Sequence, residues 1–407
     1  MPSNPGTASK NMRLIAHHEL DGFGNGGEGM GLQNTADGRR VMYIAHESAP
    51  KNFSVIDVSD PAKPHLLTQT ELPHRDMRSN SLDVVGDLMA VAYQTSRPGL
   101  SPAGVELFDI SDPVKPRSIS FFDRSGPHSR GTHCLWFVDG EYLHLSSGAP
   151  DFVPTHPKDD QFYSIVDVRN PSQPEEVGRW WLPGTREGDE APPPERHNKF
   201  DTGFRTHNTN VYPEHPDRAY VGYIDGGIVI LDISDKSAPQ LISRLDYHPP
   251  LPGFTHTVLP LFDRGLLIVT DEATRINGED WPKMTWVVDA STETNPVIVS
   301  SLPLPPVEEF GQHGGRFGAH NIHENQPVAT AFRSDTLVFG AFFNGGVRVY
   351  DVSNPYQPEE VGHYVPEAPA GSPVGAIQMN DVYVDENRLI YAIDRMSGGL
   401  YILELTI

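Results

Sequence analysis

A single cysteine, Cys134, stands among 407 residues, so no internal disulfide can form. That usage fits a reducing compartment, and a cytoplasmic location is the expectation. No stretch approaches the roughly 18 apolar residues that span a bilayer. The N-terminal "MPSNPGTASKNMRLIAHHEL" has no basic segment followed by an apolar core, so neither a secretory signal nor a membrane role is expected. Basic residues are also scarce: Lys and Arg total 31 against 54 Asp and Glu, a formal charge of −23. Such a field repels nucleic acid and keeps the chain soluble, and no basic stripe offsets it. There is no Gly-x-Ser-x-Gly elbow. "FNGG" and "SGG" open no helix and so make no phosphate cradle.

Turn formers, in contrast, are plentiful. Thirty-eight Pro and 37 Gly recur between short runs rich in Val, Ile, Leu and Tyr, the pattern of many short antiparallel strands. One phrase returns through the chain: "VIDVSDPAKPHLL", "LFDISDPVKPRSI", "IVDVRNPSQPEEV", "ILDISDKSAPQLI", "VVDASTETNPVIV" and "VYDVSNPYQPEEV". Each closes an apolar run on an aspartate: Asp57, Asp109, Asp167, Asp232, Asp289 and Asp351. Glu404 in "YILEL" takes the seventh place, and successive anchors lie 52 to 65 residues apart. A unit of that length with about four strands is a propeller blade rather than a helical repeat. An acid repeated in every unit reads as a turn cap, not a catalytic group. The last unit stops after its third strand, and "MRLIAHHEL" near the N-terminus looks like the missing fourth.

These phrases resemble the LVIVD-repeat family of β-propellers, and the likeness runs through nearly the whole chain. The expected fold is therefore all-β: a single seven-bladed propeller over 1–407, closed by an N-terminal outer strand at 12–20. Blades are expected at 29–73, 78–122, 131–182, 205–247, 254–303, 318–365 and 376–407. The long connections, Pro183–Arg205, Leu304–Gly318, Gly148–Gln161 and Glu272–Thr285, all fall on one face of such a ring, with the opposite face trimmed short. Insertions of that kind are either tolerated surface loops or the walls of a site.

The first residues of each innermost strand line the channel at that elaborated mouth. In blades three to six that slot reads "GTHCLW", "RTHNTN", "FTHTVL" and "GAHNIH", bringing His133, His207, His256 and His320 together; elsewhere it falls near Gln33, Asn80 and Gln378. Four neutral imidazoles converging on a narrow channel form a nitrogen site for one transition metal ion, Fe(II) favoured, with Cu, Zn or Mn as alternatives. The competing reading is a hydrogen-bonded polar plug. Strand alternation sets His323 and Cys134 away from the set. A second ring, at the ends of the next strands, offers Asp225, Asp271 and Asp394 as partners for the imidazoles or as catalytic bases. Asp225 in "YIDGG" and Asp394 in "AIDRMSGG" read equally well as turn initiators.

The layout is similar to the four-histidine iron centre of carotenoid cleavage oxygenases and to the selenium-binding protein and methanethiol oxidase group. That likeness implies a non-haem oxidoreductase or oxygenase acting on a small apolar or aromatic organic substrate. Trp181, Phe200, Phe204, Phe254, Trp281, Phe310, Phe317 and Phe342 are the aromatic candidates for its pocket. The rivals are a lyase or hydrolase with a redox-silent metal, and a binding scaffold without chemistry.

Overall fold

The computed structural model describes residues 7–407. Seven four-stranded antiparallel sheets follow one another along the chain. In blade one the strands are Gly26–Asn34, Arg40–His46, Lys51–Asp57 and His65–Glu71, ordered from the axis outwards. Five other blades repeat this order, and apolar side chains pack between neighbouring blades.

The recurring aspartates are turn caps. Each accepts the backbone N–H two residues on, at 2.7–3.0 Å: Ser59 onto Asp57, Ser111 onto Asp109, Arg169 onto Asp167, Ser234 onto Asp232, Ser291 onto Asp289 and Ser353 onto Asp351. This local bond competes with further strand and forces the Pro-bearing turn.

Closure uses the N-terminal segment twice. Met12–His18 pairs with Leu400–Leu405 as the outer strand of blade seven, so no free edge remains at the seam. Ala8–Lys10 pairs with Glu359–Val365 as an edge on blade six. Asn11, with φ of 51°, makes the corner between them. Blade six needs that extra strand to reach four, because its innermost segment is not a regular strand. Around His320–Ile322 the pairing is reduced to one bridge, Ile322 to Gly340, and a few backbone bonds such as His320 N–H to the Ala341 carbonyl.

The opposite face is not uniformly short. The connection 324–336 in blade six is long and lies across the far end of the channel. Asn208 and Asn210 of blade four donate to its Glu324 at 2.7 and 2.9 Å, and its Gln326 donates to Asp83 of blade two at 2.7 Å. These bonds tie blade six to blades four and two across that end.

Candidate functional site

Five of the innermost strands break their register at the same depth. The shifts fall between Gly26 and Met30, Arg78 and Ser81, Thr132 and Cys134, Thr255 and Val258, and Met379 and Asp381. A bulge carries one extra residue and turns its side chain out of the pleat. Here it turns residues to the axis: Glu28, His133 and His256 all lie inside these intervals. His207 and His320 reach the same level from non-strand backbone just ahead of their blades.

The four histidines converge. His133 Nε2 lies 2.8 Å from His207 Nε2. Ring centroids are 4.5 Å apart for His133 and His207, 3.7 Å for His207 and His256, and 4.7 Å for His256 and His320. Each Nδ1 faces an oxygen: Gln94 Oε1 at 3.0 Å, Asn208 Oδ1 at 2.8 Å, Thr257 Oγ1 at 2.7 Å and the Asn380 carbonyl at 2.6 Å. For His207, His256 and His320 a proton on Nδ1 donated to that oxygen leaves the Nε2 lone pair aimed at the axis, whereas His133 Nδ1 also faces a donor, Arg78 Nη2 at 3.2 Å. Burial lowers the pKa of His133, of His256 and of His207, the last to about 4, so these three rings are neutral at pH 7.

Two carboxylates complete the cluster, and neither was among the residues singled out from sequence. Glu28 Oε2 lies 3.8 Å from the Nε2 atoms of His133, His207 and His256, and Oε1 lies 3.7 Å from that of His320. Glu272 lies 3.9 Å from His207 and 3.6 Å from His320, and it accepts a bond from Arg316 at 2.6 Å. Separations of this size are too long for hydrogen bonds. A cation midway would sit about 2 Å from each atom, the bond length of a first-row metal to imidazole or carboxylate. Glu28 Oε2, His256 Nε2 and His320 Nε2 are buried and have no hydrogen-bond partner. Buried polar atoms left unpaired are costly, and three of them lie together here; Glu28–His207–His256 and His256–Glu272–His320, each with its donor atoms within 4.8 Å of one another, are candidate ligand sets for a metal ion.

Glu28 was hidden by its neighbours. The run "GNGGEGMG" reads as loop because glycine is poor in strands, and the slot was assigned to Gln33. Gln33 instead accepts from Tyr43 and donates to Asp87, further along the strand. The glycines serve close approach: a Cβ on Gly27 would meet the Asn80 carbonyl oxygen at 2.6 Å, and one on Gly29 the Leu82 nitrogen at 2.2 Å. Glu272 was missed by one residue. Asp271 points the other way, accepting from Tyr247 Oη at 2.6 Å and Trp286 Nε1 at 2.9 Å.

Asp225 and Asp394 are likewise occupied. Asp225 accepts from the backbone of Thr202 and Gly203, and Asp394 from the backbone of Gln378, Met396, Ser397 and Gly398. None of the three aspartates lines the cavity above the histidines. The task of orienting an imidazole, expected of these carboxylates, belongs in blade two to Gln94. His323 is held by the Val384 N–H and the Phe332 carbonyl, outside the cluster. Cys134 does not face packed sheet as alternation suggests; the bulge beside it turns it to a small chamber of about 30 Å³ under the histidines, shared with Asp83, Glu324 and Asp381.

Above the histidines the mouth opens into a cavity of about 240 Å³. Its wall is polar rather than aromatic. Of the eight aromatic candidates only Phe254 lines it. Phe310, Phe317 and Phe342 are buried in the core between blades, with Trp281 packed against them. Phe204 belongs to the core of blades three to five, and Trp181 packs on Phe152 and Phe162. Phe200 stacks on His197. Phe254 and Phe343 hold left-handed φ angles of 68° and 42°, rare for bulky residues, and lie against His207 and His320 with centroids 5.8 and 4.6 Å away.

The chain carries LVIVD repeats: the repeat matches residues 42–70, 160–181, 217–246 and 338–365, in blades one, three, four and six. No match was found among curated proteins. Among solved structures it is similar to the Cps50 (Swd1) β-propeller domain of Myceliophteria thermophila, with 15% identity, a TM-score of 0.55, and 94% of this chain and 97% of that one covered. It is also similar to the periplasmic gluconolactonase PpgL of Pseudomonas aeruginosa, with 13% identity, a TM-score of 0.55, and 87% and 91% covered. At these identities the likeness is one of fold. Among the described residues no helix is long and apolar enough to cross a membrane.

Proposed function

We propose that the protein is a metal-dependent enzyme, an oxidoreductase whose single transition metal is held by His133, His207, His256 and His320 with Glu28 at the channel axis. The observation that carries this reading is the trio of unpaired buried atoms, Glu28 Oε2, His256 Nε2 and His320 Nε2, lying together. Neutral nitrogens with one carboxylate suit Fe(II) or another borderline metal and leave coordination positions for small molecules. Bound there, the metal supplies a centre at which O₂ and an organic substrate can meet. The chain's own part is to fix the four rings through their Nδ1 contacts, to balance charge with Glu28, and to confine the substrate within a cavity that opens on one face.

A scaffold without chemistry calls for a broad exposed apolar patch. The exposed large apolar residues, among them Val114, Leu241, Val297 and Tyr356, are instead scattered over the outer strands and turns of different blades.

The test is metal content and O₂ uptake of the purified protein beside a His207→Ala, His256→Ala double variant. About one metal per chain in the parent, lost in the variant, with substrate-dependent O₂ uptake, is expected. Equal content in both, or none in either, refutes the metal centre. One redox-inert metal without O₂ uptake transfers the proposal to a lyase or hydrolase.

A further inference from the structure

The cavity above the histidines is rich in arginine, although the whole chain carries a charge of −23. Five arginines line it: Arg78, Arg130, Arg205, Arg316 and Arg395, against two carboxylates, Glu28 and Glu272. Two more carboxylates stand close by, each shared between two guanidinium groups. Glu47 pairs with Arg78 and Arg395, and Asp160 with Arg130 and Arg205. Counting all of these gives 5 − 4 = +1, before any cation joins the histidines. A guanidinium carries five N–H donors, so a carboxylate split between two of them leaves donors to spare.

Two such donors can be named. Arg205 gives one bond, from Nη1 to Asp160 at 3.1 Å, and its Nε is buried without a partner. Gln94, 2% exposed, accepts through Oε1 from Arg78 and His133, and its Nε2 is buried and unpartnered. Both residues line the cavity. A planar oxyanion accepts from such forked and paired donors. The space, about 240 Å³, is roughly eight waters' share of liquid volume, enough for a small molecule and far short of a lipid or carotenoid.

From this wall we infer that the substrate is a small organic acid, its carboxylate held by Arg205, Arg130 and Gln94 and its reacting end over the histidines. The inference deepens the proposed function and rests on it for the reacting end only; the carboxylate's place depends on the arginines. It also replaces the expectation of an apolar substrate. Phe254, on the same wall, remains available to pack against a short hydrocarbon part.

The experiment is ligand-observed NMR on the full chain, as purified and after chelator treatment, with pyruvate, benzoate and cinnamate each compared with its neutral amide. The acid of at least one pair should bind ten or more times tighter than its amide, and added NaCl should weaken it. Arg205→Gln should weaken that acid at least tenfold with metal content unchanged. Arg130→Gln, at a more exposed side chain, serves as the second variant if the first does not fold. Inorganic phosphate is the competing probe: displacement of the acid by phosphate at lower concentrations than by the acid itself would overturn the carboxylate in favour of a phosphoryl group. Equal binding of acid and amide in all three pairs, or an unchanged Arg205→Gln, would overturn the anion site even where the metal is present. Acid binding that survives chelator treatment is expected, because the arginines hold the carboxylate; acid binding by protein that carries no metal as purified would sink the metal centre and leave the anion site standing.

Discussion

Glu324 offers a test of the far end of the channel that does not depend on any ligand. Its carboxyl lies in the small chamber under the histidines and accepts from Asn208 and Asn210. Burial pushes its pKa from 4.5 up to about 7; the two amide donors oppose the shift, and the charge of Glu28 adds to it. The folded state therefore binds this proton more tightly than the unfolded chain. Stability from this group is full below about pH 4.5 and is lost as pH rises through about 7. At 1.36 kcal/mol per unit, the loss is on the order of 3 kcal/mol. Glu324→Gln keeps an oxygen for the two asparagines and has no proton to lose. Urea unfolding of both proteins across pH 4 to 8.5 should show the variant gaining on the parent by about 3 kcal/mol, with most of the gain between pH 5 and 8. A difference that stays flat over this range would refute the burial of the Glu324 carboxyl beneath the histidines, and a difference that shrinks as pH rises would reverse its sign.

Other expectations follow from single contacts. Thr257→Val removes the oxygen that orients His256 while nearly preserving shape, and metal affinity should fall about ten- to hundredfold in a competition titration. Asp289→Ala removes one turn cap and should cost about 1 kcal/mol in chemical unfolding, with metal content unchanged. Gly29→Ala places a Cβ 2.2 Å from the Leu82 nitrogen, so its melting temperature should drop sharply, whereas Gly340→Ala, whose Cβ would meet nothing closer than the Ile322 side chain at 3.4 Å, should lose far less. Removing residues 1–19 strips the outer strand from blade seven, and light scattering should show association through the exposed edge.

The fold was legible because its signal is local and repeated. An Asp that caps a turn two residues on, followed by Pro, is short-range chemistry, and six copies with Glu404 in the seventh place set the blade count. The missing last strand, answered by "MRLIAHHEL", placed the closure. The histidines were legible for a related reason: they occupy one structural slot, and a shared slot survives as a shared position in the sequence. What alternation could not supply was the bulge. It turns Glu28, His133 and His256 to the axis and leaves Cys134 facing the chamber. Glu28 was further masked by glycines that serve packing against blade two and not flexibility. The arginines stood in plain sight in "RGTH", "RTH" and "RFGAH", a few residues ahead of three histidines. Their meaning depended on knowing that Asp160 is divided between Arg130 and Arg205, and Glu47 between Arg78 and Arg395, which only the folded chain brings about.

The most direct measurement is anomalous diffraction from crystals of the protein as purified, recorded on either side of the absorption edge of whichever metal fluorescence identifies. The account predicts one strong peak on the channel axis, about 2 Å from the Nε2 atoms of His133, His207, His256 and His320 and in reach of Glu28. Density at that point with no anomalous signal, bridged to the imidazoles at hydrogen-bond distances, would contradict it and leave a water-filled polar plug.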